Sequence, residues 1–180
     1  MEYHFELPVS SDDIKKLRIG DIVYVTGKIF TARDEAHHIM LEMDKVPFNP
    51  SEMGLFHCGP LMKKTNGKWE VISAGPTTSG RMEIFEDRFL EKFDVKIIIG
   101  KGGMGKNTQK ALQKYISVYT SYTGGAGALA ADKVEEVPGV YWLEELGMPE
   151  AAWIFKVKEF GPLVVAMDSH GDSIYERIKK

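Results

Sequence analysis

The chain has 180 residues, of which 43% are hydrophobic and 27% charged, and 26 acidic against 23 basic side chains give a formal net charge of −3. This composition is that of an ordinary globular protein, and it argues against a nucleic-acid-binding protein, which usually carries a basic excess. The one cysteine, Cys58, excludes an internal disulfide framework and any zinc or iron–sulfur site built from cysteines of this chain alone. No apolar run approaches the roughly 20 residues that span a bilayer, and no secretory signal is recognisable. We therefore expect a single cytoplasmic domain over residues 1–180.

The first half of the chain alternates predicted strands and helices. Residues Tyr3–Leu7 alternate in polarity and predict a strand, and Ser10 or Ser11 indicates the N-cap of a short helix that ends at Leu17. The elements predicted next are a strand over Asp21–Phe30, a helix over about Ala32–Met43, a loop over Val46–Gly54, and strands over Leu55–Met62 and Trp69–Ala74 joined by a turn at Asn66-Gly67.

The second half contains longer amphipathic helices and glycine-rich loops. Its predicted elements are a helix over Met82–Phe93, a strand over Lys96–Ile99, a glycine-rich loop over Gly100–Gly105, a helix over Asn107–Tyr115, a strand over Val118–Tyr122, a small-residue segment over Gly124–Ala131, strands over Trp153–Val157 and Val164–Met167, and a tail helix over Ser173–Lys180. Mixed strands and helices predict the α/β class, with a mixed sheet flanked by helices.

Three segments share one local pattern, in which a predicted strand leads through small or polar residues and a basic side chain into a helix. They are residues 29–34 with Arg33, residues 74–82 with Arg81, and residues 99–104 with Lys101. A helix N-terminus already attracts anions, so a cation placed there favours a site for an anionic ligand. We therefore predict that the three loops bind one ligand with more than one anionic group. Taken singly, each loop has a simpler interpretation as a surface ion pair, a helix cap or a tight turn.

The third loop also approaches a phosphate-binding motif. Gly100–Thr108 reads GKGGMGKNT, close to the pattern GxxxxGK followed by Ser or Thr. Asn107 stands where that motif needs a magnesium-binding hydroxyl, and Thr108 is one position late, about 100° further round the helix. Asp168 is the one fair candidate for the acidic residue that would complete such a site. A P-loop nucleotide hydrolase therefore stays a disfavoured alternative.

The histidines and the cysteine show no spacing that indicates a metal site. His37 follows Arg33 by four residues and shares its helix face, so it could face the same ligand, although a half-exposed structural role is the simpler prediction. His57 and Cys58 lie in a predicted strand, where Cys58 is most simply a buried apolar side chain. We expect no metal bound by this chain.

Four motifs stand in order along most of the chain. They are GDIVYVTGKIFTARDEAH at 20–37, CGP at 58–60, GPTTSGRM at 75–82 and IIGKGGM at 98–104. In these motifs the sequence resembles the β-type domain of class I, iron–sulfur-dependent fumarate hydratases and L-tartrate dehydratases. The resemblance implies a swivelling β/β/α domain and a hydro-lyase subunit. It implies fumarate–malate interconversion first, with L-tartrate dehydration as the alternative. A non-catalytic dicarboxylate-binding module is the alternative from another class.

The same resemblance implies how the site is shared between chains. A 4Fe–4S cluster would be held by an α-type partner subunit, in a heterodimer or heterotetramer, and none by this chain. The implied substrate-binding residues are Arg33, Thr77, Arg81 and Lys101, of which Thr77 and Lys101 are the candidates for catalysis. The residues expected to support them from behind are Asp34, His37, Gly102 and Gly103. The partners implied are the α-type subunit and a small dicarboxylate, with no nucleic acid and no membrane.

Overall fold

A computed structural model describes residues 1–122 and 127–178. The strands are β1 (Glu2–Glu6), β2 (Ile22–Thr31), β3 (Gly54–Phe56), β4 (Leu61–Thr65), β5 (Lys68–Ser73), β6 (Ile97–Gly100), β7 (Val118–Ser121), β8 (Val134–Tyr141) and β9 (Ala152–Met167). The helices are α1 (Ser11–Lys16), α2 (Asp34–Glu42), α3 (Glu83–Phe93), α4 (Lys106–Tyr115), α5 (Gly127–Asp132), α6 (Leu143–Leu146) and α7 (Ile174–Arg177), with 3₁₀ turns at Pro50–Glu52 and Ser79–Met82. None of the helices in these ranges is long and apolar enough to cross a membrane.

Seven strands form one mixed sheet in the order β1-β2-β3-β6-β7-β9-β8. The strands β1, β2, β3, β6 and β7 run parallel to one another, and β9 runs antiparallel to β7, β8 and β2. Because β9 pairs with both β7 and β2, the strands β2, β3, β6, β7 and β9 are joined in a closed ring. β4 and β5 form a separate hairpin whose turn is the predicted Asn66-Gly67 pair. The predicted mixed sheet flanked by helices is confirmed.

The sheet has a hydrophobic cluster on each face because its strands alternate their side chains. On β2, Val23, Val25 and Ile29 lie in one cluster, while Phe30 lies in the other. The Phe30 cluster includes apolar side chains of α2, α3 and α4, such as Met40, Phe89 and Leu112, and the opposite cluster includes side chains of α1 and of the β4–β5 hairpin. The three longest helices therefore stand on one face of the sheet.

Several predicted boundaries are wrong for identifiable reasons. The two predicted final strands are one strand, β9, because its pairing with β2 continues through the Gly161-Pro162 segment that the sequence pattern treats as a break. The strand predicted over Leu55–Met62 is two elements, since β3 ends at Phe56 and β4 begins at Leu61. The sequence pattern predicts no strand at β8, which carries two glutamates and Pro138. Proline is tolerated there because β8 is the last strand of the sheet.

Two predicted segments extend beyond the described residues. Of the small-residue segment Gly124–Ala131, the described part is helix from Gly127, which continues to Asp132 in α5. Of the tail helix predicted over Ser173–Lys180, α7 covers Ile174–Arg177.

The N-terminus of α4 is capped by a side chain from another helix. Glu83, at the start of α3, accepts hydrogen bonds from the backbone N–H groups of Gly105, Asn107 and Thr108 at 2.8–3.2 Å, and from the Thr108 hydroxyl at 2.6 Å. Glu83 thus supplies the acceptor oxygens that α4 lacks at its own N-cap, Gly105. The Glu83 carboxylate therefore occupies the backbone N–H groups that a phosphate would need for binding at this helix N-terminus.

Replacing Glu83 with Ala should lower the free energy of unfolding by about 2 kcal/mol, because it removes an N-terminal cap and leaves donors of α4 unsatisfied. The expected fall in Tm is roughly 4–8 °C for a chain of this size, measured by calorimetry. Glu91→Ala, at an exposed position on the same helix, is the control and should change Tm by less than about 2 °C. Equal shifts in the two variants would contradict the capping role.

Candidate functional site

The parallel strands β2, β3 and β6 end at one edge of the sheet, since parallel strands share the direction of their carboxyl ends. The residues that follow them are therefore neighbours. Arg33 follows β2, Cys58 and Gly59 follow β3, and Lys101 follows β6. This edge is where ligands bind in related parallel-sheet architectures. It brings two of the three predicted cationic loops together.

The remaining cationic loop reaches this edge by a different route from the predicted one. It follows β5, which belongs to the hairpin rather than to the seven-stranded sheet. Its backbone then lies against the strand ends: the N–H of Thr77 donates to the His57 carbonyl at 2.8 Å, and the N–H of Ser79 donates to the Lys101 carbonyl at 2.9 Å. Residues 76 and 78 also form isolated bridges with 58 and 101. Thr77 therefore lies at the ends of β3 and β6.

Arg33 is held in place from two sides. It is the N-cap residue of α2, and its Nε lies 3.1 Å from Oε1 of Glu150. A Cβ on Gly59 would lie 2.8 Å from Nη1 of Arg33, so the Arg33 side chain packs closely over Gly59. The Arg33 side chain is 23% exposed, which leaves part of the group accessible to a ligand.

Arg81 links two of the loops. Its Nη2 donates to Oδ2 of Asp34 at 2.8 Å, which joins the 74–82 segment to the start of α2. Half of the Arg81 side chain is exposed, so donors remain available. Lys101 is half-buried and has no ion-pair partner within residues 1–122 and 127–178. The site thus contains two oriented guanidinium groups and a lysine without a counter-charge in the described chain.

Gly102 and Gly103 are required by backbone conformation and by space. Their φ angles are +81° and +80°, the left-handed region that favours glycine. A Cβ on Gly103 would lie 2.6 Å from the ring of Tyr175. The pair therefore sets the path of the chain just after Lys101.

His37 is not half-exposed as predicted but completely buried. Its Nδ1–H donates to the backbone carbonyl of Arg33 at 2.7 Å, because a carbonyl can only accept. The ring packs against Phe89, with ring centroids 4.5 Å apart. The helical spacing correctly predicts that His37 lies near Arg33. The His37 side chain nevertheless points into the core, because the face of α2 that carries it packs against α3.

A buried polar cluster lies beneath the loops, and the sequence patterns did not reveal it. Glu86 Oε2 lies 3.1 Å from Nε2 of His57 and 3.3 Å from Nε2 of His37, and all three side chains are inaccessible. The available signal was the position of Glu86, which falls on the apolar stripe of α3 with Phe89 and Phe93 at the helical spacing. An acidic residue on a buried stripe needs a partner.

Charge and burial act against each other in this cluster. Burial lowers the pKa of His57 by more than the neighbouring Glu86 carboxylate raises it, so the imidazole ring is neutral near pH 7. Burial alone would raise the pKa of Glu86, but the adjacent His37 and His57 rings outweigh it and bring that pKa down from 4.5 to about 2. Glu86 is therefore an ionised carboxylate enclosed by two imidazoles.

The ligand atoms of His37, His57 and Glu86 lie within 4.8 Å of one another, so this triad is the group within the described residues that could hold a metal ion. A hydrogen-bonded arrangement also accounts for the short contacts of His57, whose Nδ1 lies 2.9 Å from the Ser79 hydroxyl and whose Nε2 faces the carboxylate.

Cys58 does not fit the role of an iron–sulfur ligand. Its side chain is fully buried, and burial raises the pKa of its thiol far above the ordinary range. It is also the one cysteine of the 180-residue chain, whereas such a cluster is held by several thiolates.

Comparison with known proteins gives consistent matches along the chain. A family model described as Fumarase C-terminus matches residues 3–178. A protein of Methanocaldococcus jannaschii named "Putative L(+)-tartrate dehydratase subunit beta" is 50% identical over the whole of this chain and 94% of its own length. The "L(+)-tartrate dehydratase subunit beta" of Escherichia coli K12 is 43% identical over 96% of this chain and 86% of its own length. A "Putative fumarate hydratase class I" of Geobacillus stearothermophilus is 43% identical over 97% of this chain, which covers 34% of that longer protein.

The ionised state of Glu86 predicts a pH-dependent stability. Because its folded pKa lies below its ordinary value of 4.5, the carboxylate stabilises the fold above pH 4.5, and this contribution is lost as pH falls toward about 2. The free energy of unfolding of the wild type should therefore exceed that of Glu86→Gln at pH 7, and the difference should shrink between pH 4.5 and 2. Urea titrations at a series of pH values would measure it. Glu91→Gln, at an exposed site, should show a difference near zero throughout, and a Glu86→Gln difference that grows on acidification would contradict the assignment.

Proposed function

The chain belongs to the Fumarase C-terminus family, and from that membership we propose that it is the β subunit of a hydro-lyase that adds or removes water at a four-carbon dicarboxylate. The observation that supports this most directly is the convergence of three cationic loops at one edge of the sheet. Asp34 and Arg81 join the first and second loops, and the bridge between Thr78 and Lys101 joins the second and third. Two guanidinium groups and an ammonium suit a small dianion better than a single phosphate or carboxylate.

Arg33 and Arg81 are proposed to bind the two carboxylates. Each is already oriented by a carboxylate of the chain, Glu150 and Asp34 respectively, so little freedom is lost when a substrate arrives. A guanidinium can keep one such partner and still offer paired donors to a ligand. These contacts fix the orientation of the carbon skeleton, which is the main contribution that positioning makes to rate.

Lys101 is proposed to act on charge that develops during the reaction. Water addition across a double bond next to a carboxylate, or its reversal, passes through a state with extra negative charge on that carboxylate. A lysine without a counter-ion in the described chain, whose backbone is held by the Ser79 N–H to Lys101 carbonyl bond, stabilises that state more than the ground state.

Thr77 is proposed to contact the substrate near the reacting carbons. Its backbone N–H is fixed to the His57 carbonyl, so its position relative to β3 is set. An ordinary threonine hydroxyl is a weak base, and a role in proton transfer needs a group that accepts its proton. We place that group on the partner subunit.

The partner is proposed to be an α-type subunit that carries a 4Fe–4S cluster, since two of the relatives are named as β subunits and Cys58 does not fit as a ligand. The cluster would supply Lewis-acid activation of the substrate hydroxyl. The purified chain alone should accordingly be colourless and inactive.

Two substrates remain candidates for the same site. The motifs are shared by both activities; fumarate hydration is the first expectation because it is the commoner of the two, and a relative named as a class I fumarate hydratase supports it. Tartrate dehydration is favoured by the names of the relatives that match this chain over nearly their full length. The Arg and Lys contacts recognise the carboxylates common to both, so the hydroxyl pattern of the substrate must be read elsewhere in the assembled site.

Replacing Arg81 with Lys should lower kcat/KM of the assembled α–β complex by roughly 30-fold or more, because lysine cannot pair with Asp34 and a substrate carboxylate through a planar fork. The assay follows the fumarate absorbance in the anaerobically reconstituted complex. Arg88→Lys, on the exposed side of α3, is the matched control and should retain wild-type kinetics. Unchanged kcat/KM in Arg81→Lys would refute the substrate role.

The substrate is settled by competition between L-malate and L-tartrate in the same reconstituted complex. We expect activity on one of them to exceed that on the other by at least tenfold in kcat/KM, as a missing hydroxyl partner typically causes. A complex that binds both dicarboxylates by calorimetry without turning either over would instead support a non-catalytic binding module.

A nucleotide hydrolase is the alternative that the structure disfavours. Because Glu83 occupies the N–H groups of Gly105, Asn107 and Thr108, millimolar ATP with magnesium should leave the Tm of the chain within about 1 °C of its value in buffer. A rise of several degrees, measured by calorimetry, would revive that function.

A further inference from the structure

A buried chain of polar side chains runs behind the three cationic loops and touches each of them. Starting at the third loop, the N–H of Gly103 donates to the Tyr119 hydroxyl at 3.3 Å, and that hydroxyl donates to Ser79 Oγ at 3.0 Å. Ser79 belongs to the second loop, between Thr77 and Arg81. Its hydroxyl lies 2.9 Å from Nδ1 of His57.

The chain then continues to the first loop. Nε2 of His57 is hydrogen-bonded to Glu86 Oε2 at 3.1 Å, whereas Nε2 of His37 approaches the same oxygen to 3.3 Å as an ion-pair contact without hydrogen-bond geometry. The Nδ1–H of His37 donates to the backbone carbonyl of Arg33. A single path of side chains therefore connects Gly103, Ser79 and Arg33, one residue from each loop.

The direction of donation along this path is fixed by its ends. Gly103 N–H can only donate, so the Tyr119 hydroxyl accepts there, and the same hydroxyl donates to Ser79 Oγ. At the other end the ionised Glu86 carboxylate can only accept, so Nε2–H of His57 donates to it and Nδ1 of His57 accepts from the Ser79 hydroxyl. This assignment makes His57 a neutral Nε2–H tautomer.

None of the linking side chains can reach a ligand in the site. Ser79, His57 and Glu86 are fully buried, and Tyr119 is buried as well. The path also lies tightly against the end of β6, because a Cβ on Gly100 would overlap Ser79 Oγ and lie 3.1 Å from Nδ1 of His57. Packing of this kind transmits a displacement instead of absorbing it.

We propose that Glu86, His57, Ser79 and Tyr119 are positioning residues that hold the three substrate loops in mutual register. The proposal rests on the proposed function, since the register matters only if Arg33, Arg81 and Lys101 act on one substrate. Breaking the path at any point leaves the loops folded but frees one to move relative to the others. A shift of about 1 Å at a reacting centre can lower a rate by about a hundredfold.

The test removes one hydroxyl at a time from the path and compares it with a hydroxyl removed nearby. Tyr119→Phe and Ser79→Ala break the path. Thr120→Val and Ser117→Ala are the matched controls, because both hydroxyls are buried and donate to backbone carbonyls of the same region, Ile98 and Val95, outside the path.

In the reconstituted α–β complex, the two path variants should lose about tenfold to a hundredfold in kcat with KM changed less than about threefold. The exposed cations still attract the dianion by charge, whereas alignment is needed in the transition state. The controls should keep kcat within about twofold, although their Tm values fall by similar amounts. The double variant Tyr119→Phe/Ser79→Ala should be little worse than either single one, because the path is already broken.

A second measurement is made on the chain alone and does not depend on activity. Two-bond ¹H–¹⁵N NMR spectra should show His57 as the neutral Nε2–H tautomer, and Tyr119→Phe should shift the His57 Nδ1 signal although the two rings are separated by Ser79. Thr120→Val should leave it in place.

Four outcomes are distinguishable. Loss of kcat in the path variants together with the His57 shift supports the proposal. Equal kcat in Ser79→Ala and Ser117→Ala, in an active wild-type complex, overturns it without touching the proposed function. An inactive wild-type complex overturns the proposed function and the positioning role with it. Stoichiometric metal found in the purified chain and bound to His57 overturns the hydrogen-bond path itself.

Discussion

The ionised carboxylate of Glu86, buried between two imidazoles, is the constraint on which the site depends. Removing such a charge from water costs several kcal/mol unless partners replace the lost hydration. Here the partners come from α2, through His37, and from the end of β3, through His57. Because the carboxylate contacts both, it links α2, α3 and the end of β3 at the point from which the cationic loops leave.

That constraint explains why so much polar chemistry lies in a hydrophobic cluster. The face of the sheet under α2, α3 and α4 is otherwise filled by residues such as Phe30, Phe89 and Leu112. A polar group placed there accepts few alternative geometries, because each unsatisfied donor or acceptor is costly. The cluster therefore specifies one arrangement of the loops above it more strongly than apolar packing would.

The ion pairs at the surface of the site have a different role. Arg33 with Glu150 and Arg81 with Asp34 are partly exposed, and pairs of this kind add little to stability. Their value is orientation, since each guanidinium is aimed before a ligand is bound. Structural stabilisation thus comes from the buried layer, and ligand recognition from the layer above it, which can change without unfolding the protein.

The sequence by itself determined the α/β class, most helices, the hairpin turn at Asn66-Gly67 and the family, because these follow from local periodicity and contiguous motifs. It also placed Arg33, Arg81 and Lys101 in three loops, although their roles as ligands for a dianion stay a prediction.

Only the tertiary structure decided that the loop after β5 lies across the ends of β3 and β6, that β9 is one strand, and that His37 faces the core. It alone joined Glu86 to His57 and Ser79 to Tyr119. These residues lie 29 and 40 positions apart, and no local pattern records a contact at that separation. Such contacts are set by which helix face and which strand end meet after the chain has folded.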